Sequence, residues 1–197
     1  IRKTRTDRLY CLAVPWKSPV KVPSRDFLKE RNTQGKPVRF RIPSIGGVEL
    51  KLPELKIGEK IAKIPIIQGG MAIRLSTAKL AAAVASQGGI GLIAASGLSD
   101  EELRYEIRLA RSLTKGIVGI NIMVAARKFS QIVKTAIDEG IDLVVAGAGF
   151  SRDMFGLSKE SGTPIVPIVS SVKLAKISQR LGASAIVVEG KEAGGHL

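Results

Sequence analysis

The stretch Ile117-Val118-Gly119-Ile120-Asn121-Ile122-Met123-Val124 is apolar along its length except at Asn121. A strand with one wet face would alternate polar and apolar residues. An unbroken run of this kind therefore predicts a strand covered on both faces, as in a parallel sheet packed between other layers. Five more runs of the same character lie around it, at residues 64–67, 89–94, 143–146, 165–169 and 185–188. Their starts recur every 20 to 28 residues, which is room for one helix and two turns between strands.

The intervening segments read as helices. Ser76 is placed to cap a helix reaching Gln87. Ser99-Asp100-Glu101-Glu102 has the form of a capping box, in which the serine and the glutamate three residues on satisfy each other's free amides, and opens a helix to about Leu113. Further helices are predicted over 130–139, stopping at Gly140, over 152–160, stopping near Gly162, and from the Ser171 cap to Gly182. The result is a βα array, either an open doubly wound sheet or a closed barrel.

The open-sheet dinucleotide site requires Gly-x-Gly-x-x-Gly between the first strand and its helix, and that motif is missing. Gly89-Ile90-Gly91-Leu92-Ile93-Ala94 has the loose spacing but forms the body of a strand. Gly147-Ala148-Gly149 follows a strand, yet Arg152 stands where the third glycine would be. No phosphate P-loop occurs. Polar and small residues instead follow several different strands: Gln68-Gly69-Gly70-Met71, Gly147-Ala148-Gly149, Ser170-Ser171 and Glu189-Gly190, with Asn121 inside the third. In a barrel these C-terminal strand ends converge on one face. The expectation is an α/β fold, a TIM (β/α)8 barrel with six βα units present and strands seven and eight beyond Leu197.

Composition narrows the class. The 197 residues carry 31 Lys+Arg against 17 Asp+Glu, a formal charge of +14, with 45% hydrophobic residues and one Cys. A single Cys excludes a disulfide framework within the chain and a Cys-rich zinc site, and no apolar run reaches the ~18 residues of a membrane helix. A cytoplasmic protein is expected. Residues 1–45 hold +9 of the net charge, and their Tyr10, Trp16, Phe27 and Phe40 are interleaved with Arg and Lys. That pattern suits nucleic acid. The aperiodic, proline-containing segment reads better as a basic, poorly structured extension before a domain at 46–197. With Ile at position 1, no Met before Met71 and an end at Gly194-Gly195-His196-Leu197, the sequence reads as a fragment.

Three positions carry the chemistry. His196 is the only histidine and follows the sixth strand among small residues; histidine is the side chain that titrates near neutrality. Asn121 needs a partner in an apolar strand, either the neighbouring backbone or the polar edge of a ligand. Glu189 ends a buried strand, where a carboxylate meets a cation, a hydroxyl or backbone amides. No His/Asp/Glu set has metal-ligand spacing.

Taken together, Pro65-Ile66-Ile67-Gln68-Gly69-Gly70-Met71, Gly88-Gly89-Ile90-Gly91-Leu92-Ile93-Ala94, Gly119-Ile120-Asn121-Ile122-Met123 and Glu189-Gly190-Lys191-Glu192-Ala193-Gly194-Gly195-His196 resemble the nitronate monooxygenase (2-nitropropane dioxygenase) family. That family is related to FMN-dependent enoyl-ACP reductases. The resemblance implies FMN held without a covalent bond, with Gln68, Gly69, Gly70 and Met71 along the flavin ring, Asn121 at its polar edge, and Glu189, Gly194 and Gly195 in the sixth βα loop. His196 falls where the family keeps its catalytic histidine. The implied reaction is oxidation of alkyl nitronates or nitroalkanes with O2 to carbonyl compounds and nitrite. The alternatives are FMN-dependent enoyl-ACP reduction with NAD(P)H and, in another class, a non-catalytic fragment or basic binding protein. Oligomeric state stays open.

Overall fold

The computed structural model describes residues 52–72, 74–190 and 193. The basic segment 1–45 and the motif residues Gly194, Gly195 and His196 lie outside them. The described chain begins with a hairpin that the sequence reading did not anticipate. Strands β1 (Leu55–Ile57) and β2 (Lys60–Ala62) pair antiparallel around Gly58-Glu59, with Gly58 in the left-handed region at φ 58°. Leu55 and Ile57 alternate with Lys56, so the signal existed, but in two pieces of three residues.

Six parallel strands follow: β3 (Ile67–Gln68), β4 (Ile90–Ala94), β5 (Ile117–Met123), β6 (Leu143–Gly147), β7 (Ile165–Val169) and β8 (Val187–Val188). Each pairs with the next in the chain, giving the order β3-β4-β5-β6-β7-β8. A doubly wound sheet reverses its strand order at a switch point, and this one does not. The fold is α/β, an incomplete TIM barrel. The first strand is shorter than the expected 64–67: around Pro65, which has no N–H, Ile66 N turns back to donate to Ile64 O at 2.8 Å, and the segment meets its neighbour only through Ile64 N donating to Gly88 O at 3.0 Å and Ile66 O accepting from Ile90 N at 2.9 Å. The last is also shorter than 185–188.

Five helices, α1 (Ala78–Ser86), α2 (Asp100–Leu113), α3 (Phe129–Asp138), α4 (Met154–Ser161) and α5 (Val172–Leu181), connect the strands. Ser99 and Glu102 form the capping box at the start of α2, and Ser171 accepts from Leu174 N at the start of α5. Gly162 and Gly182 end α4 and α5 in the left-handed conformation. The start of α1 corrects the sequence reading. Thr77, not Ser76, holds the capping position and makes no side-chain cap; Glu106 of α2 accepts from Ala78 N at 2.6 Å instead. The buried alanines of α1 let it approach the sheet until a Cβ on Gly91 of β4 would stand 1.9 Å from the Ala81 carbonyl oxygen.

Strand alternation divides the core in two. Ile93, Val118, Ile120, Ile122, Val144 and Ala146 face the helices and pack with Leu103, Ile107, Val133 and Met154. Ile90, Leu92, Leu143, Val145 and Val166 face the concave side, where Ile57 and Ala62 of the hairpin cover them. Each fully buried Ile or Leu contributes about 1.5–3 kcal/mol. Asp142, before β6, fixes the hairpin at the N-terminal ends of the strands. Its Oδ1 meets Lys60 Nζ at 2.7 Å, and its Oδ2 meets Arg111 Nη1 at 2.7 Å and accepts from Val118 N at 2.9 Å.

Candidate active site

At the opposite ends of the strands the backbone leaves β3 at Gln68, and the Gln68 side chain continues the pairing. Its Oε1 accepts from Leu92 N at 3.3 Å, and its Nε2 donates to Leu92 O at 3.3 Å, to Ser76 Oγ at 3.0 Å and to the Gly69 carbonyl. A carboxamide has the donor and acceptor of a peptide group, so it completes the β4 ladder while the main chain of Gly69-Gly70-Met71 turns away. Ser76 is buried behind this turn. Its Oγ accepts from Met71 N at 2.9 Å and reaches the Gly69 carbonyl at 3.3 Å.

Gly70 lies directly against Asn121, and a Cβ there would stand 2.8 Å from Asn121 Oδ1. Gly69 has open space where its side chain would be, and Met71 is exposed. Asn121 Nδ2 donates to Val145 O of β6 at 3.2 Å. Of the two partners open to Asn121 on sequence grounds, the neighbouring backbone is engaged, and a carboxamide with one N–H so used keeps a second N–H and an oxygen.

Position in the sheet decides which residues share the concave mouth. Val118, Ile120 and Ile122 face the helices, so Asn121 and Met123 face the other way, together with Gly147 of β6. A Cβ on Gly147 would meet Ile168 of β7 at 2.7 Å. Ser96 Oγ accepts from Met123 N at 3.0 Å and ties the loop after β4 to the end of β5. Beyond Gly147, Ala148 takes φ 49°, a left-handed conformation unusual outside glycine, and Gly149 takes φ 130°. Val187 belongs to the concave cluster, and Glu189, two residues on, keeps the ladder by donating from its N to Val169 O at 3.0 Å.

The structure thus brings Gln68, Gly69, Gly70, Met71 and Asn121 together. Glu189 stands on the opposite edge strand, separated from β5 by β6 and β7. Ser76 and Ser96 escaped the sequence reading, the first because a serine before a helix looks like a cap. On the helix side of the sheet, a groove of about 420 Å³ is lined by residues including Arg74, Ile93, Leu98, Glu102 and Tyr105. Glu102 there is held below the usual carboxylate range by its hydrogen bond from the Ser99 backbone and by the Arg74 guanidinium. The described residues contain no cluster of three or more His, Cys, Asp or Glu able to hold a metal, and no helix long and apolar enough to cross a membrane.

The sequence profile of the nitronate monooxygenase family matches residues 54–139 and 125–197. The chain belongs to the nitronate monooxygenase family. Among curated relatives, a "(3aS,4S,5R,7aS)-5-hydroxy-7a-methyl-1-oxo-octahydro-1H-indene-4-carboxyl-CoA dehydrogenase" of Mycobacterium tuberculosis is 30% identical over 132 residues, 67% of this chain and 37% of that protein. A "Probable nitronate monooxygenase" of Staphylococcus aureus is 29% identical, covering 67% of this chain and 47% of that protein. Among solved structures, FabK from Thermotoga maritima superposes with a TM-score of 0.65 at 38% identity, covering 68% of this chain and 42% of that one. The chain spans less than half the length of these relatives.

Membership in the nitronate monooxygenase family implies a flavin. The mouth fits such a group in two respects. A flat ring packs against a surface with no side chain standing off it, as at Gly69, and an edge of alternating donors and acceptors can pair with a carboxamide that has a donor and an acceptor to spare, as at Asn121.

Proposed function

We propose that this chain forms the flavin-ring half of an FMN-dependent nitronate monooxygenase, oxidising alkyl nitronates with O2 to carbonyl compounds and nitrite. The observation that carries the reading is the turn Gly69-Gly70-Met71, bare at Gly69 and closed on Asn121 at Gly70, at the C-terminal mouth of a sheet of this family. FMN, when bound, would supply electron transfer and reactivity with oxygen; the protein supplies position and electrostatics. Gly69, Gly70 and Met71 would lie along the ring, and the free side of the Asn121 carboxamide would bind its polar edge. Gln68 would act through the loop, since its carboxamide is engaged with Leu92. Glu189, Gly194 and Gly195 would complete the wall.

His196 would hold the nitro group by a hydrogen bond and, for a neutral nitroalkane, take the α-proton onto its ring nitrogen. General base catalysis of this kind contributes ~10²–10⁴-fold. His196→Asn is therefore expected to slow nitroalkane turnover by about that factor, to affect preformed nitronate less because its proton is already gone, and to leave FMN bound. Unchanged nitroalkane turnover would remove His196 from the mechanism.

A second reading, redox chemistry next to a thioester carbonyl with NAD(P)H as the other substrate, draws support from the dehydrogenase name of the 30% identical mycobacterial relative, whose own substrate is a carboxyl-CoA. Aerobic nitrite release from propane-2-nitronate, measured beside NAD(P)H oxidation with an enoyl thioester, separates the two. Protein that stays colourless after incubation with FMN would exclude both.

A further inference from the structure

We propose that Ser76 is a positioning residue of the flavin site, its hydroxyl setting the turn Gly69-Gly70-Met71 in the shape that receives the cofactor; this rests on the flavin reading above. Ser76 is 1% exposed and stands where a helix-capping serine is expected, yet it caps nothing. The free amide at the start of α1 goes to Glu106 of the neighbouring helix, and the Ser76 hydroxyl faces the turn.

A hydroxyl accepts two hydrogen bonds and donates one. Ser76 Oγ has three partners to match: Met71 N at 2.9 Å, Gln68 Nε2 at 3.0 Å and the Gly69 carbonyl at 3.3 Å. Its own main chain closes the same segment, with Ser76 N donating to Met71 O at 3.1 Å and Ser76 O accepting from Ala94 N at 2.9 Å. The turn therefore hangs between the end of β3, the end of β4 and one buried oxygen. Two consecutive glycines have no side chains to restrict their backbone. Gly70 must nevertheless sit against Asn121 with no room for a methyl group. Ser76 supplies the constraint that the glycines lack.

The test compares Ser76→Ala with Ser178→Ala in the whole protein. Ser178 is equally buried, but its hydroxyl donates to Leu174 O within α5, away from the turn. Two readouts are taken: FMN affinity by fluorescence titration, and hydrogen–deuterium exchange of the 69–76 segment without FMN. Ser76→Ala is expected to weaken FMN binding about tenfold, the scale of one lost backbone hydrogen bond or slightly more, and to speed exchange at the Met71 amide. Ser178→Ala should lower thermal stability while keeping wild-type affinity and wild-type exchange at Met71. Wild-type exchange at Met71 in Ser76→Ala, or faster exchange with undiminished FMN affinity, overturns the proposal. Wild-type protein that takes up no FMN overturns the flavin reading and the cofactor half of this proposal, and exchange at Met71 still decides whether Ser76 shapes the turn.

Discussion

Gly70 and Asn121 come from different strand ends and touch so closely that a Cβ at position 70 would stand 2.5 Å from the Asn121 Cβ. The turn cannot keep this position with any side chain there. Gly70→Ala is expected to displace it and to weaken FMN binding by about tenfold or more, with a small change in melting temperature, because the turn lies outside both apolar clusters. Removing the opposing side chain in Gly70→Ala/Asn121→Gly should restore the turn's exchange behaviour without restoring FMN affinity. A double variant that behaves as the sum of the two single ones would show that the contact does not set the turn.

Gly91 presents the same contact in a structural setting. Its absent Cβ would meet the Ala81 carbonyl oxygen at 1.9 Å, and backbone on both sides leaves no flexible end to yield. Gly91→Ala is expected to cost about 3 kcal/mol or more, measured by urea unfolding. The neighbouring Gly97, at φ 84° in open space, should lose far less on the same change.

Acid should loosen the hairpin. Burial pushes the Asp142 carboxyl up, but hydrogen bonds from Arg111, Lys60 and Val118 N outweigh it and hold the group below its usual range. Glu139 is held at about 2 by hydrogen bonds from Arg108 and Arg104. Both pKa values are depressed in the folded protein, so the stability they bring is full above the ordinary carboxylate range, near 4, and is lost as pH falls through the folded values. Asp142→Asn is expected to lower stability at pH 7 by about 1–2 kcal/mol, because Lys60 and Arg111, which are only partly exposed, lose the opposing negative charge. It should also flatten the acid limb of a stability-against-pH curve. An unchanged limb would assign the pH dependence to other groups.

The capping box gives a plain stability prediction. Ser99 Oγ accepts from Glu102 N at 3.2 Å and Glu102 Oε2 accepts from Ser99 N at 2.9 Å. Ser99→Ala is expected to cost about 1 kcal/mol in thermal or urea unfolding and to leave FMN affinity unchanged.

Legibility in the sequence followed the range of the forces involved. The runs that became β4, β5, β6 and β7 declared themselves because burial on both faces demands apolar residues at every position, and Ser99-Asp100-Glu101-Glu102 because its hydrogen bonds span three residues. The turn at Gly69-Gly70 and the odd polar residue Asn121 were visible as anomalies, but their mutual contact was not, since it joins positions about fifty residues apart. Ser76 misled for the same reason. Its local context says helix cap, and only the approach of Glu106 from α2 frees its hydroxyl for another task. The β1–β2 hairpin was overlooked because three-residue strands carry too little pattern to stand out, although Ile57 and Ala62 both end up buried.

Asp142 with Lys60 and Arg111 grips one rim of the sheet, and the glycine turn with Asn121 occupies the other. Selection can act on the two rims separately. If the glycine turn receives the ligand as proposed, substitutions that retune it leave the fastening at the far end untouched, and a lineage built on this frame can change its chemistry while its resistance to unfolding stays where it was.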